Sequence, residues 1–309
     1  MTSATPLPRR GLLQAGLAAS TALLVPAAAA SAAPGTAGPA AGSAAASLRA
    51  GEAALRELER RHGARLGVYG RNVRTGRVLA YRAGERFAMC STFKALAAAA
   101  VLHGRVPLDR VVVYPPADLL PNSPVTVRHV ADGMTVGDLC AAAIRYSDNT
   151  AGNLLLRQIG GPAGLTRFLR RLGDPVTRLD RWEPDLNAAV AGDPRDTTTP
   201  EALARSVERP ALGRVLPDRD RARFVDWMRG TTTSGERFRK GLPAGWTVAD
   251  KTGTGDYASA NDVGVAWTTR RTPLVLAVLT TKPDRDAAAD EPLVAAAARV
   301  LARTLAPGE

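Results

Sequence analysis

Hydrophobic and polar positions recur with different periods along this chain, and the changes of period divide it. From Ser47, SLRAGEAALRELERRHG carries helical spacing, with Ser47 as N-cap and Gly63 as the terminating glycine. RLGVYGRNV and RVLAYRA then switch to strand patterns and read as a hairpin across Arg74-Thr75-Gly76. From about Phe87 to Met228 helix signals and loops dominate. Strand patterns return in WTVADKTG, NDVGVAWTT and PLVLAVLTTK, and an Ala-rich helix closes the chain. Two early and three late strands around a helical middle predict one antiparallel sheet completed by distant segments, with a helical domain inserted. The cleft between two such lobes is a favoured place for a ligand. The boundaries that follow are an α/β subdomain from 48–86 and 227–309, and an all-helical subdomain over 87–226.

The first residues follow another logic. PRRGLLQAGLAASTALLVPAAAASAA runs from Arg9 and Arg10 through an apolar stretch to Ser31-Ala32-Ala33, the order of an export signal with small residues at its cleavage point. Residues 1–33 are expected to be removed, leaving a secreted protein with no membrane anchor. Gln14 and the alanine-heavy content make a poor permanent span. The paired arginines followed by Leu12 and Leu13 allow the twin-arginine route. Residues 34–47, PGTAGPAAGSAAAS, have the composition of a linker.

Composition narrows the function classes. At 309 residues, 45% hydrophobic and 23% charged, the chain is a soluble globular protein able to bury a large core. Its formal charge of +12 raises nucleic acid as a partner. The arginines are scattered among Asp and Glu, however, and no basic run is interleaved with stacking aromatics, which points to a solvated basic surface and no nucleic-acid partner. Cys90 and Cys140 are too few for a disulfide framework and sit in apolar context, as buried free thiols do. His62, His103 and His129 lie far apart without ligand spacing, so neither a zinc site nor any other metal or cofactor is expected.

The chain writes nearly all its basic residues as arginine; Lys94, Lys240, Lys251 and Lys282 are its only lysines. A lysine amine can be made to lose its proton, which an arginine cannot. In MCSTFKALAAAAVL, Ser91 would open a helix and Lys94, three residues on, would share its face. The positive end of the backbone dipole would favour alkoxide character at Ser91, and a desolvated neutral Lys94 could take its proton. RYSDNTAGNLLL holds Ser147, Asp148 and Asn149 beside a helix start. RLDRWEPDLNAAVAGDPRDTTTP, rich in Pro, Asp, Gly and Thr, suits a long ordered surface loop. Within it Glu183 and Asn187, four apart, could hold one water between a carboxylate and an amide. ADKTGTGDYASAND puts Lys251, Thr252 and Gly253 at a strand end.

Alone each motif is weak. In order, S-x-x-K, S-D-N, E-P-D-L-N and K-T-G resemble the active-site set of the class A serine β-lactamases, over nearly all the chain from about Ser47 to Leu305. The resemblance implies a β-lactamase/penicillin-binding-protein-like fold, a five-stranded antiparallel sheet flanked by helices with an inserted helical domain, and an Ω-loop over 178–196. It implies that Ser91 opens the β-lactam amide as an acyl ester, with the backbone N–H groups of Ser91 and Thr254 as oxyanion hole. Ser147, hydrogen-bonded by Lys251, would pass a proton to the departing nitrogen, and Asn149 would contact the acyl-amide side chain. Asp148 would hold local backbone, Arg181 and Asp196 would staple the loop neck, and the bond before Pro184 would be cis. Lys94 and Glu183 acting through water remain alternative acylation bases. Glu183 with Asn187 would drive deacylation, which separates this reading from a cell-wall D-Ala-D-Ala peptidase that stays acylated, and from a β-lactam sensor that only binds.

Several positions depart from the family's pattern. Where many members carry a carboxylate-binding arginine after K-T-G, this chain has Ala260; the resemblance to another subset assigns Arg237, with Thr252, Gly253 and Thr254, to the substrate carboxylate as a bidentate fork. Asn122 stands where many members have an aromatic gate. The family's frequent disulfide partner of Cys140 is replaced by Ala98. The partner that carbapenem-hydrolysing members pair with Cys90 is Gly255, so efficient carbapenem hydrolysis is not expected. The expected whole is a monomer acting on small-molecule β-lactams, penicillins and cephalosporins among them.

Overall fold

The computed structural model describes residues 39–309; the expected export signal and the first residues of the linker lie outside the described residues. The first helix, α1 (Pro39–His62), begins well before the N-cap expected at Ser47 and takes in most of the stretch read as a linker. The physical reason is composition: alanine is the best helix former, and nothing between Pro39 and Ser47 stops the helix from extending backwards. The other end is as expected, with Gly63 at φ +56°.

After α1 the hairpin forms from β1 (Arg65–Asn72) and β2 (Val78–Tyr81), and β3 (Phe87–Ala88) leads into a 3₁₀ turn at Cys90–Thr92 and α2 (Phe93–His103). The middle of the chain contains β4 (Val111–Val112), β5 (Met134–Thr135), α3 (Val136–Arg145), α4 (Asn149–Gln158), α5 (Gly161–Arg171) and β6 (Thr197–Thr198). Next come α6 (Pro200–Leu212), α7 (Asp218–Arg229) and the single turn α8 (Phe238–Gly241). β7 (Thr247–Gly255), β8 (Ser259–Trp267), β9 (Pro273–Thr281) and α9 (Glu291–Leu305) complete the fold.

The sheet has the order β2-β1-β9-β8-β7 with every neighbour antiparallel, an α/β domain closed by the end of the chain. β9 is central and both its faces are covered. Leu274, Leu276 and Val278 face a core shared with α1 and α9, whereas Val275, Ala277 and Leu279 face the core shared with the helical region. Burial on both faces is why PLVLAVLTT is a continuous apolar run without alternation.

The inserted subdomain is built around α2, whose residues from Phe93 to Leu102 are all buried. A helix apolar on every side must sit inside its neighbours, and α2 packs on α3, α4, α5, α6 and α7. Two details differ from the sequence expectation. Short ladders β3–β6 and β4–β5 interrupt the region read as purely helical, and the boundary drawn between 226 and 227 falls inside α7. In addition α6 lies against β1, β8 and β9, so the inserted region meets the sheet along that helix. Among the described residues no helix is long and apolar enough to cross a membrane.

Candidate active site

Ser91 does not open the α-helix itself. It sits in the 3₁₀ turn just before α2, after Cys90, which is held at φ +46°. Lys94, in the first turn of α2, returns its amine to the serine: Lys94 Nζ is 2.9 Å from Ser91 Oγ. The same nitrogen touches Ser147 O at 2.9 Å, Asn149 Oδ1 at 2.6 Å and Glu183 Oε1 at 2.9 Å. Three of these four oxygens can only accept, which matches the three donors of an ammonium; a neutral Lys94 could instead accept the Ser91 proton while donating to two of the three. Lys94 is wholly buried; burial pushes its pKa down, against the opposing pull of the Glu183 carboxylate.

The S-D-N run supplies the roof. Ser147 takes φ +56°, which turns its carbonyl to Lys94 while its Oγ accepts from Lys251 Nζ at 3.0 Å. Asp148 caps α4 by accepting from Ala151 N, and binds Val125 N, Thr126 N and Thr126 Oγ1. Asn149 is engaged at both ends of its amide: Oδ1 accepts from Lys94 and Nδ2 donates to Pro121 O at 2.9 Å. Asn122 is exposed at φ +57° beside this segment, and its carbonyl accepts from Asn149 N.

The loop over 178–196 brings a carboxylate to the serine from the opposite side. Ser91 Oγ lies 3.2 Å from Glu183 Oε1, while Glu183 Oε2 accepts from Asn187 Nδ2 at 2.5 Å. The Glu183–Pro184 peptide is cis. The neck is closed by Arg181 Nε to Asp196 Oδ2 at 2.6 Å, and Asp196 Oδ1 also accepts from Asp180 N and Arg181 N. Sequence reasoning missed Asn153, which clamps the Glu183 backbone twice, donating to its carbonyl and accepting from its N–H, each at 3.0 Å. Its signal was present: it falls four residues after Asn149, on the same face of α4.

β7 forms the third wall. Lys251 is fully buried and donates to Ser147 Oγ and, at 2.7 Å, to Thr252 O. Burial, then the like charges of Lys94 and Arg237, drive its pKa well below the ordinary lysine value. So two of the four lysines are the two buried amines of one site. Gly253 lets the strand lie against the turn that carries Ser91, since a Cβ there would come within 2.9 Å of Met89 O. Thr252 Oγ1 meets Thr233 Oγ1 at 2.6 Å, and Thr254 is exposed at the strand's end.

Arg237 departs from the fork assigned to it. Its Nε and Nη2 donate to Glu291 Oε1, its Nη1 to the carbonyls of Gly253 and Asn261, and its Nη2 also to Thr254 Oγ1. All five N–H donors are therefore spent, and no bidentate pair is free for a substrate carboxylate. No motif marks Glu291, which lies 54 positions further along the chain. Cys90 and Cys140 are free and buried, and burial pushes the Cys90 thiol up to about 12.

Behind β7, Asp250 and Asp262 are both fully buried, and Asp250 Oδ2 and Asp262 Oδ1 each lack a hydrogen-bond partner among the described residues, which leaves room for one proton shared between the two carboxyls. Two carboxylates so placed cannot both ionise cheaply, and burial followed by the Asp250 charge lifts Asp262 well above the ordinary range. The folded state thus holds a proton that the unfolded chain releases near pH 4. The stability this proton confers is complete below that value and is lost as pH rises through the folded pKa of Asp262. Asp262→Asn, which keeps a donor to Asp250 and the acceptor for Phe238 N, is expected to flatten this decline. Thermal melts of both proteins across neutral and alkaline pH check it; an unchanged slope refutes the shared proton.

Residues 51–305 match the model of the Beta-lactamase enzyme family. A beta-lactamase of Streptomyces cellulosae is 49% identical, over 97% of each chain. Among solved structures, a beta-lactamase from Desulfarculus baarsii superposes with a TM-score of 0.83 at 50% identity, covering 84% of this chain and 99% of that one. The beta-lactamase from Streptomyces albus G superposes at 0.81 with 52% identity, covering 83% and 99%.

Proposed function

Since the chain belongs to the class A serine β-lactamases, enzymes that hydrolyse the β-lactam amide through a serine acyl-enzyme, we propose that Ser91 is the serine that carries the acyl group. The observation that supports this most is the mutual contact of Ser91 Oγ, Lys94 Nζ and Glu183 Oε1, all between 2.9 and 3.2 Å. Ser91 Oγ attacks the ring carbonyl and gives its proton either to neutral Lys94 or, through water, to Glu183. The developing oxyanion is met by the N–H groups of Ser91 and Thr254, and losing one such donor costs about 10²–10³ in rate. Ser147, kept hydrogen-bonded by Lys251, hands a proton to the ring nitrogen as the amide breaks.

Deacylation needs a water, and Glu183 with Asn187 is built to hold one. Among the described residues Asn187 Oδ1 is buried without a hydrogen-bond partner, which leaves it free to accept from such a water. The substrate carboxylate is met by hydroxyls and not by the arginine fork. Because Thr254 Oγ1 already accepts from Arg237, its own proton is free to donate outward. Arg237 supplies charge behind that hydroxyl. We read the protein as a secreted monomer that takes penicillins and cephalosporins, with carbapenems poorly turned over, and with its two lobes divided near 86 and 227. A chromogenic cephalosporin assay tests the whole: many turnovers per enzyme are expected. A single stoichiometric burst means a peptidase-like trap, and no release means a protein that only binds; either result overturns the reading.

A further inference from the structure

The oxyanion hole in this reading is assembled from two unconnected pieces of chain. One N–H belongs to the 3₁₀ turn of Ser91, the other to Thr254 on β7. An oxyanion is stabilised only when both donors stand about 2.7–3.1 Å from it, so something must hold the turn at a fixed distance from the strand. Gly253 permits their close approach but attracts nothing. Within the turn, Met89 O accepts from Thr92 Oγ1 at 2.6 Å, which stiffens the turn without tying it to the sheet.

Asn261 makes that tie. It is fully buried on β8, where its backbone is paired with Gly253 on one side and Leu279 on the other. Its side chain leaves the sheet towards the nucleophile: Nδ2 donates to Ala88 O at 2.9 Å and to Met89 O at 3.3 Å, while Oδ1 accepts from Thr280 N at 3.3 Å. The peptide after Met89 leads into Cys90, whose left-handed φ is uncommon for a residue with a Cβ and persists only where surroundings fix it. Arg237 Nη1 grips the carbonyls of Asn261 and Gly253 together, so the paired strands move as one body. An apolar residue of similar size would withdraw the β8 donor from both carbonyls, and Met89 O would keep only the bonds it receives from within its own turn.

We propose that Asn261 is a positioning residue that sets the spacing of the two oxyanion-hole donors. The proposal rests on the assignment of Ser91 and Thr254 to that hole. Asn261 touches neither substrate nor reacting atoms, so its removal acts on geometry alone, and small misplacements of reacting groups can cost about 10²-fold. Both chemical steps pass through an oxyanion, so acylation and deacylation slow together.

The test measures Asn261→Ala against wild type with a penicillin, a chromogenic cephalosporin and an arylboronic acid, which binds serine hydrolases as a tetrahedral mimic. The expected result is kcat/KM lower by about 10- to 100-fold, arylboronate affinity lower by a similar factor, and KM little changed. Intact mass during turnover should show no more adduct than wild type. A lower melting temperature with unchanged kcat and boronate affinity would make Asn261 merely structural and overturn the proposal, as would selective accumulation of adduct. If Asn261→Ala does not fold, Asn261→Asp serves, because an ionised carboxylate offers the two carbonyls no donor whereas the protonated acid restores one. Its activity relative to wild type should rise as pH falls; a constant ratio refutes the role. Failure of the boronate to compete on wild-type enzyme would remove the hole itself, whereas equal inhibition of wild type and variant removes only the part given to Asn261.

Discussion

Glu183→Ala mixed with a penicillin accumulates a protein heavier by one intact antibiotic, because ring opening expels no leaving group and the ester on Ser91 is no longer hydrolysed. A positioned general base contributes about 10²–10⁴ in rate, and deacylation should fall by a factor in that range. Acylation survives for an electrostatic reason. Burial lowers the Lys94 pKa and the Glu183 charge is what opposes it; removing the carboxylate leaves the amine more firmly neutral and still 2.9 Å from Ser91 Oγ. The loop should keep its place, since Arg181–Asp196 and the two bonds of Asn153 act on backbone and on other side chains. Intact mass spectrometry before and after a penicillin pulse reads the outcome. Rapid turnover by the variant, with no adduct, would remove Glu183 from the chemistry.

How much of this was legible in the letters follows from how each residue reaches the site. Ser91 and Lys94 are three apart on one turn, Glu183 and Asn187 four apart in one loop, and Lys251 to Thr254 consecutive on one strand; each group is fixed by local geometry, so short motifs expose it. The sheet was legible for a similar reason, since its strands are long enough for their periods to stand out. What stayed hidden depends on contacts between distant positions. Asn261 meets Ala88 across 173 positions, and nothing near it in sequence marks that contact. Arg237 was found as a cation near K-T-G, but that its donors are exhausted depends on Glu291 and on two backbone carbonyls. The two-residue ladders escaped because two residues have no measurable period, and the start of α1 because alanine-rich helix and alanine-rich linker differ little in composition.

Lys94→Arg should abolish acylation, with kcat/KM down by at least about 10²–10⁴ and no adduct visible by mass. Two physical facts combine. A guanidinium keeps its proton at any working pH, so it cannot accept one from Ser91. The slot also matches an amine on a thin stem: a Cβ at Gly152 of α4 would come within 2.8 Å of Lys94 Cε, and the chain there is wholly buried. Lys94→Met, which keeps the stem without the base, separates loss of chemistry from overpacking; it should fold and also fail to acylate. The pH dependence of the wild type carries the same sign. Because the folded pKa of Lys94 is lowered, acylation should stay level as pH drops through the ordinary lysine value near 10.4 and decline only where the buried amine finally takes a proton. Measured together, the two variants decide between the alternative bases. Adduct on Glu183→Ala with none on Lys94→Met assigns the Ser91 proton to the lysine, whereas rapid acylation of Lys94→Met would pass that step to the carboxylate and its water.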